Sequence, residues 1–172
     1  PSGHPDAPTL SVLAAFLRNG FLHRTIREQG GAYGGGASHD PNIAAFRFFS
    51  YRDPRLVETL EDFDASIAWL LDTQHEQLAL EEAILSVMAS LDKPGSPAGE
   101  AKRDFHERLF GRTAEHRRLL RAGIVGTTLD DLRRVAETYL KPELASTAVI
   151  THTAGADIVA ERQLPLTRQD LL

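Results

Sequence analysis

Five glycines between positions 30 and 36 separate a helical sequence pattern from a strand pattern, and this boundary constrains the fold most strongly. Before the glycines, apolar residues recur three or four positions apart, as one face of a helix requires: Leu10, Leu13, Leu17 and Phe21. The pattern predicts a helix over residues 10–28. We expect it to end at Gly30 and Gly31, because glycine readily adopts the left-handed conformation that ends helices.

The segment after this boundary predicts a β-hairpin. Residues 43–51 show the strongest strand pattern of the chain, since their aromatic side chains alternate between two faces: Phe46 and Phe48 on one face, Phe49 and Tyr51 on the other. A turn over residues 39–42 joins this strand to a glycine-rich strand over residues 33–38. We expect the two strands to pair, and the glycines let another backbone approach closely.

Helical patterns dominate the rest of the chain. Asp53 and Pro54 predict the N-cap and the first residue of the next helix. Two shorter helices are expected over residues 98–110 and 113–123, and Thr127-Thr128 predicts the cap of a last strong helix. A third strand is expected over residues 146–152.

These elements predict an α+β fold, in which helices pack on one face of an antiparallel sheet. Three strands are few for so many helices, and proteins normally pair or cover an open sheet edge. We therefore expect the sheet to lack strands that lie upstream of residue 10 or that a partner supplies. The chain divides into a linker over residues 1–9, a domain over 10–155 and a C-terminal tail over 156–172.

The composition excludes several classes of function. The chain has no cysteine, which excludes disulfides, thiolate metal ligands and a cysteine nucleophile. Its formal net charge of −5 argues against a nucleic-acid partner. No stretch approaches the roughly 20 apolar residues of a membrane span, so we expect a soluble protein with no membrane partner. A cytoplasmic location is favoured over a periplasmic one, although the composition fits both.

Arg27 and Tyr33 are candidates for one site on either side of the glycine turn. A phosphate-binding loop is excluded there, because such a loop follows a strand and opens a helix, whereas these glycines follow a helix. Arginine offers a fixed cationic fork and tyrosine a hydroxyl donor, a combination that suits an oxyanion or a carbonyl under attack. The alternatives are a solvated arginine favoured by the helix C-terminus and a tyrosine that packs on the sheet.

The histidines do not form a zinc motif. None of the seven begins His-x-x-Glu-His or His-Glu-x-x-His. His75 and His106 each precede a glutamate, and we expect both to be surface residues on amphipathic helices. His23 shares a helix face with Arg27 and is expected to have a structural role. The sequence therefore predicts no metal site in this chain.

The run Ile-Arg-Glu-Gln-Gly-Gly-Ala-Tyr-Gly at residues 26–34 resembles the C-terminal region of presequence proteases. These are a subfamily of the pitrilysin/insulinase-type zinc peptidases. The residues at 48–54, 111–113 and 128–132 extend the resemblance, which covers roughly residues 10–150. It implies that residues 10–155 are part of a metallopeptidase half-domain of the LuxS/mitochondrial-processing-peptidase-like type.

The resemblance also implies a function and a set of partners. In that family, a zinc-bearing N-terminal half and a C-terminal half close around an unfolded peptide. The positions that match the family motif imply that Arg27 and Tyr33 contact the scissile carbonyl and that Gly31, Ala32 and Gly34 bind the substrate. Zinc is expected in the N-terminal half, which is either in the same polypeptide or a separate subunit. Alone, this chain is expected to hydrolyse nothing.

Two other functions remain open. Some halves of zinc peptidases in this superfamily are non-catalytic partners or scaffold subunits, and the chain is alternatively one of these. The second alternative is a free-standing oligomerisation module. For the oligomerisation module, a stable dimer would indicate pairing through an exposed sheet edge, which offers unpaired backbone groups.

Overall fold

The computed structural model of the chain describes residues 3–162, 164 and 166–169. This part contains helices and a two-stranded antiparallel sheet, which confirms the α+β class. In chain order the elements are α1 (Ala7–Leu17), a π-helical segment (Arg18–Gln29), β1 (Gly34–Asp40), β2 (Ala45–Tyr51), α2 (Val57–Asp72), α3 (Gln77–Leu91), α4 (Pro97–Leu109), α5 (Ala114–Val125), α6 (Leu129–Tyr139), a 3-10 turn (Pro142–Leu144) and α7 (Thr153–Glu161). No helix among these described residues combines the length and the apolar character needed to cross a membrane.

Helix α1 forms the centre of the hydrophobic core. Nine of its eleven residues are buried, and it packs against β1, α3, α5 and α6. It begins at Ala7, earlier than the predicted start and inside the segment expected to be a linker. Pro8 lies in its first turn, where a proline is tolerated because its missing N–H would have no helical partner. The prolines at the start of the chain therefore do not keep this segment out of the helix.

The helix predicted over residues 10–28 is present, but its second half is wound more widely. Helix α1 continues directly into the π-helical segment, in which backbone N–H groups bond five residues back. Leu22 and Ile26 are the residues of this segment that are fully buried. The segment ends at Gln29 with Gly30 as its C-cap, and Gly31 follows with a φ of 80°, so the predicted helix end is confirmed.

Strands β1 and β2 form the predicted hairpin. They pair antiparallel, with Gly34 opposite Tyr51. Phe46 and Phe48 pack against the core, whereas Phe49 and Tyr51 on the other face are 40% and 50% exposed. The π-helical segment and α1 both pack against β1. Helices thus cover one face of the sheet, as predicted, and the aromatic alternation is confirmed.

Asp53 and Pro54 precede helix α2 and do not begin it, so the predicted helix start is wrong. The helix starts at Val57. The Asp53 carboxylate instead accepts a hydrogen bond from the backbone N–H of Arg55 at 3.0 Å and another from the hydroxyl of Thr59 at 2.7 Å. Asp53 therefore orders the turn that leads into α2, a second role for which aspartate is suited.

The later helices lie where the sequence places them. Helices α4 and α5 differ from the predicted bounds by one or two residues at each end, as is usual for helix termini. Helix α6 begins with the predicted threonine cap. The Thr128 hydroxyl accepts from the Asp131 N–H, and the Asp131 carboxylate accepts from the Thr128 N–H, which together form a capping box.

The third strand predicted over residues 146–152 is wrong. Residues 145–152 form no regular element and are largely exposed, with Ile150 at 88%. A strand needs a neighbour for its backbone N–H and C=O groups, and no strand of the described residues lies beside this segment. Helix α7 follows, where the sequence showed no pattern. Positions 163, 165 and 170–172 of the predicted tail lie outside the described residues.

Candidate functional site

Arg27 and Tyr33 lie on either side of a tight turn that follows the π-helical segment. The N–H of Gly31 donates to the carbonyl of Arg27 at 3.1 Å. The N–H of Ala32 donates to the carbonyl of Ile26, also at 3.1 Å. These bonds close the helix end and direct the chain into β1. The backbone of the candidate pair is therefore fixed by hydrogen bonds, while both side chains are exposed.

Gly30 and Gly31 permit this turn for two different reasons. Gly31 has a φ of 80°, in the left-handed region that favours glycine. Gly30 has an ordinary backbone conformation, but a Cβ added there would overlap the guanidinium group of Arg55 and lie 2.5 Å from the carbonyl oxygen of Ile26. Gly30 is thus required because a side chain would overlap its neighbours, and Gly31 is required because of its positive φ.

Arg55 clamps the end of the π-helical segment onto α2. Its Nη2 donates to the carbonyl of Thr25 at 3.3 Å and to the carboxylate of Asp62 at 2.9 Å. The two side chains of this ion pair are 27% and 19% exposed, so solvent screens the pair less than it screens a surface pair. Sequence reasoning missed Arg55, because no local pattern connects it to residues 30 positions earlier.

The Arg27 side chain is exposed at the helix C-terminus, where the helix dipole favours a cation. Its Nη1 lies 3.3 Å from the Nε2 of His23. The Nδ1 of His23 in turn lies 3.5 Å from the carboxylate of Glu28. The predicted proximity of His23 and Arg27 is confirmed. The contact orients one edge of the guanidinium group and leaves the group accessible to a ligand.

Tyr33 is 62% exposed and immediately precedes β1. Its N–H donates to the carbonyl of Arg52 at 3.2 Å. The ring centroid lies 5.5 Å from that of Tyr51, which it meets edge-on, and 5.3 Å from the guanidinium carbon of Arg52. Within the described part of the chain, its hydroxyl makes no hydrogen bond. The sequence showed Tyr51 on the outer face but not that Arg52 would contact Tyr33.

The three residues predicted to bind the substrate differ in what they expose. Gly31 is exposed, whereas Ala32 is only 4% exposed and its methyl group lies in the core. The ring of Tyr51 lies across Gly34, where an added Cβ would overlap it. Ala32 and Gly34 can therefore offer a peptide only their backbone groups.

His75 is not a helix-surface residue, so that prediction is wrong. It lies in the loop between α2 and α3, with its ring 4.4 Å from Trp69 and 5.2 Å from Phe16. Its Nε2 also lies 3.1 Å from the carbonyl of Leu70. His106 is exposed on α4, as predicted. Among the described residues, no group of three or more His, Cys, Asp or Glu side chains is arranged to hold a metal ion.

A family model described as the PreP C-terminal domain matches residues 2–154 of the chain. The matched range contains α1, the π-helical segment, the hairpin and helices α2 to α6. It therefore includes the whole turn that carries Arg27 and Tyr33.

Several relatives are named "Presequence protease, mitochondrial". The protein from Eremothecium gossypii is 41% identical over 138 residues, which are 80% of this chain and 14% of that protein. The protein from Saccharomyces cerevisiae is 39% identical over 141 residues, or 81% of this chain and 14% of the relative. The protein from Mus musculus is 36% identical over 140 residues, which are 81% of this chain and 13% of that protein. The chain thus spans about 14% of the length of the relatives it matches.

Proposed function

Because this chain belongs to the family of presequence protease C-terminal domains, we propose that it is the substrate-binding part of a zinc-dependent endopeptidase that degrades unfolded peptides. In this proposal a zinc-bearing N-terminal half closes over the chain around the peptide. No described group of side chains in this chain fits a zinc ion, so the metal is assigned to that other half. There it would activate the attacking water.

One observation carries the proposal. Arg27 and Tyr33 present an exposed cationic fork and an exposed hydroxyl from the two sides of one hydrogen-bonded turn. In this proposal both groups donate to the same carbonyl oxygen as it gains negative charge during attack. The turn fixes the backbone of both residues before the peptide arrives, which limits the reorganisation needed when the charge develops.

The hairpin supports the proposal that the substrate is an extended chain. Each strand of this two-stranded sheet has one edge that no other strand of the described residues occupies. A peptide without stable structure can add to such an edge as a further strand, since its backbone N–H and C=O groups are free. A folded protein has already paired those groups internally, and it is therefore a poor substrate for this mode of binding.

The test uses the full-length protease that contains this chain. We expect Arg27→Ala and Tyr33→Phe each to lower kcat/KM for an unstructured peptide by about 10²–10³, the usual effect of losing one oxyanion donor. Arg24→Ala is the matched control, because it removes another exposed cation of the same π-helical segment. Tyr33→Phe keeps the ring and removes only the hydroxyl. Zinc content and circular dichroism should be unchanged in every variant.

Two results would contradict the proposal. If both variants cleave at the wild-type rate, Arg27 and Tyr33 are structural and the chain is better assigned as a non-catalytic partner or scaffold. If the 172-residue chain alone cleaves the peptide in the presence of a metal chelator, the assignment of the reaction to a second half is wrong.

A further inference from the structure

We propose that Arg52 is a positioning residue for Tyr33, an inference that rests on the proposed role of Tyr33 as a donor to the scissile carbonyl. Arg52 holds Tyr33 at two points. Its carbonyl accepts the Tyr33 N–H at 3.2 Å, and its guanidinium carbon lies 5.3 Å from the centroid of the Tyr33 ring. A cation within about 6 Å of an aromatic centroid is attracted to the face of the ring. The same residue therefore fixes both the backbone and the ring of Tyr33.

The backbone of Arg52 is itself unusual. Its φ is 48°, and the only other described residue apart from glycine with a positive φ is Ala44, in the hairpin turn. Residues other than glycine rarely adopt this left-handed backbone conformation, because their Cβ approaches the following carbonyl oxygen. A strained residue persists where the surrounding structure requires it. Here the conformation ends β2 and brings the carbonyl and the guanidinium group of Arg52 to Tyr33.

Among the described residues, no carboxylate competes for the Arg52 side chain. Arg52 forms no ion pair within the described part of the chain, and it is exposed. The neighbouring Asp53 uses one carboxylate oxygen for the N–H of Arg55 and the other for the hydroxyl of Thr59. The Arg52 guanidinium is therefore free to remain over the Tyr33 ring.

Tyr33 needs such support because little else restrains its side chain. It is 62% exposed, and within the described residues its hydroxyl has no hydrogen-bond partner. Among the described residues, the ring has one aromatic contact and one cation–π contact: Tyr51 at an interplanar angle of 61°, and Arg52 over the face. Tyr51 is placed in turn by Gly34, which leaves room for its ring. Losing Arg52 would let the Tyr33 hydroxyl leave the position at which it donates.

The experiment is a double-mutant cycle in the full-length protease. We expect Arg52→Met to lower kcat about two- to five-fold with little change in KM, which corresponds to ~0.5–1 kcal/mol at ~1.4 kcal/mol per tenfold. Arg52→Lys keeps a cation and should retain most of the rate. In the Tyr33→Phe background, Arg52→Met should cause no further loss, since the hydroxyl that Arg52 positions is already absent. Arg108→Met removes an exposed cation of α4 and serves as the control.

Other results would overturn the inference. An equal loss of kcat in both backgrounds would mean that Arg52 contacts the peptide itself or supports the fold. A change confined to KM would mean that it contributes only uniform binding. A wild-type rate for Tyr33→Phe alone would instead contradict the proposed role of Tyr33 as a donor to the carbonyl, so the two failures are distinguishable. In the 172-residue chain without substrate, the δ protons of Arg52 should show an upfield ring-current shift by NMR, and its absence would exclude the contact.

Discussion

Helices α1 and α4 differ in how much of their surface is buried against the rest of the protein. Helix α1 buries nine of its eleven residues, whereas α4 buries none of its thirteen and exposes Phe105 and Leu109 at 63% and 65%. The candidate turn belongs to the first kind of structure, because it follows the π-helical segment that continues α1 and that is anchored by Leu22 and Ile26. The comparison indicates that the positions of Arg27 and Tyr33 depend on the packed core around α1 and the π-helical segment. We expect changes on the surface of α4 to have no comparable effect on them.

The largest expected difference between the two regions is in stability. Leu17→Ala should lower the free energy of unfolding by about 2–5 kcal/mol, because Leu17 is fully buried and its truncation leaves a cavity. Leu109→Ala, the matched change on α4, should cost no more than about 0.5 kcal/mol. Urea denaturation of the chain measures both. Equal losses would show that α4 is packed as tightly as α1, which would contradict the difference in burial between the two helices.

A smaller effect is expected at the turn itself. Gly30→Ala should cost about 1–3 kcal/mol, because the new methyl group would overlap the guanidinium group of Arg55. It should also lower kcat in the full-length protease, since relief of the overlap moves the end of the helix that carries Arg27.

Gly111→Ala is the control for Gly30→Ala. Gly111 follows α4, has a φ of 65° and has no neighbour within 4 Å of an added Cβ. Its substitution should cost about 1–2 kcal/mol through the backbone alone and should leave kcat unchanged. A drop in kcat for the control, or none for Gly30→Ala, would contradict the idea that the site depends on this turn.

The smallest expected effect is a pH dependence. Burial lowers the pKa of His39 below its usual 6.5, and its Nδ1 lies 2.9 Å from the hydroxyl of Ser11 in α1. The unfolded chain therefore binds the proton first as the pH falls. The stability that neutral His39 contributes is present above about pH 6.5 and is lost as the pH drops towards the folded-state pKa. Because the ring is partly exposed, solvent screens the effect, and we expect the loss of stability to be small.

Thermal unfolding between pH 5 and pH 7.5 measures this effect. His39→Gln should flatten the loss of stability on the acid side, whereas His106→Gln on α4 should leave the profile unchanged, since His106 is exposed. A profile that is insensitive to His39 would mean that its burial does not oppose protonation.

The elements that sequence patterns predicted correctly are those that local residues determine. The hairpin follows from the alternation of Phe46 and Phe48 with Phe49 and Tyr51, and α6 follows from a threonine cap three residues before an aspartate. The helix end at Gly30-Gly31 also follows from local chemistry. The positions of Arg27 and Tyr33 on either side of that turn could therefore be predicted without the structure.

The supports of the candidate site could not be predicted in the same way. Arg55 contacts Thr25, 30 positions earlier, and Arg52 contacts Tyr33, 19 positions earlier. Such contacts depend on how the hairpin and α2 pack against the π-helical segment, which no local pattern specifies. The predicted third strand failed for a related reason, because β propensity does not supply the neighbouring strand that a β-strand requires.

The exposed segment that replaces this third strand affects how the chain behaves in concentrated solution. Residues 145–151 contain no charge, proline or glycine and combine β-branched residues with alanine, a composition that favours cross-β stacking between molecules. Ile150 is almost wholly exposed and requires no unfolding to become available. We therefore expect the aggregation rate of the chain in concentrated solution to depend more on this short segment than on the melting temperature of the chain. Ile150→Lys should slow aggregation without altering the fold.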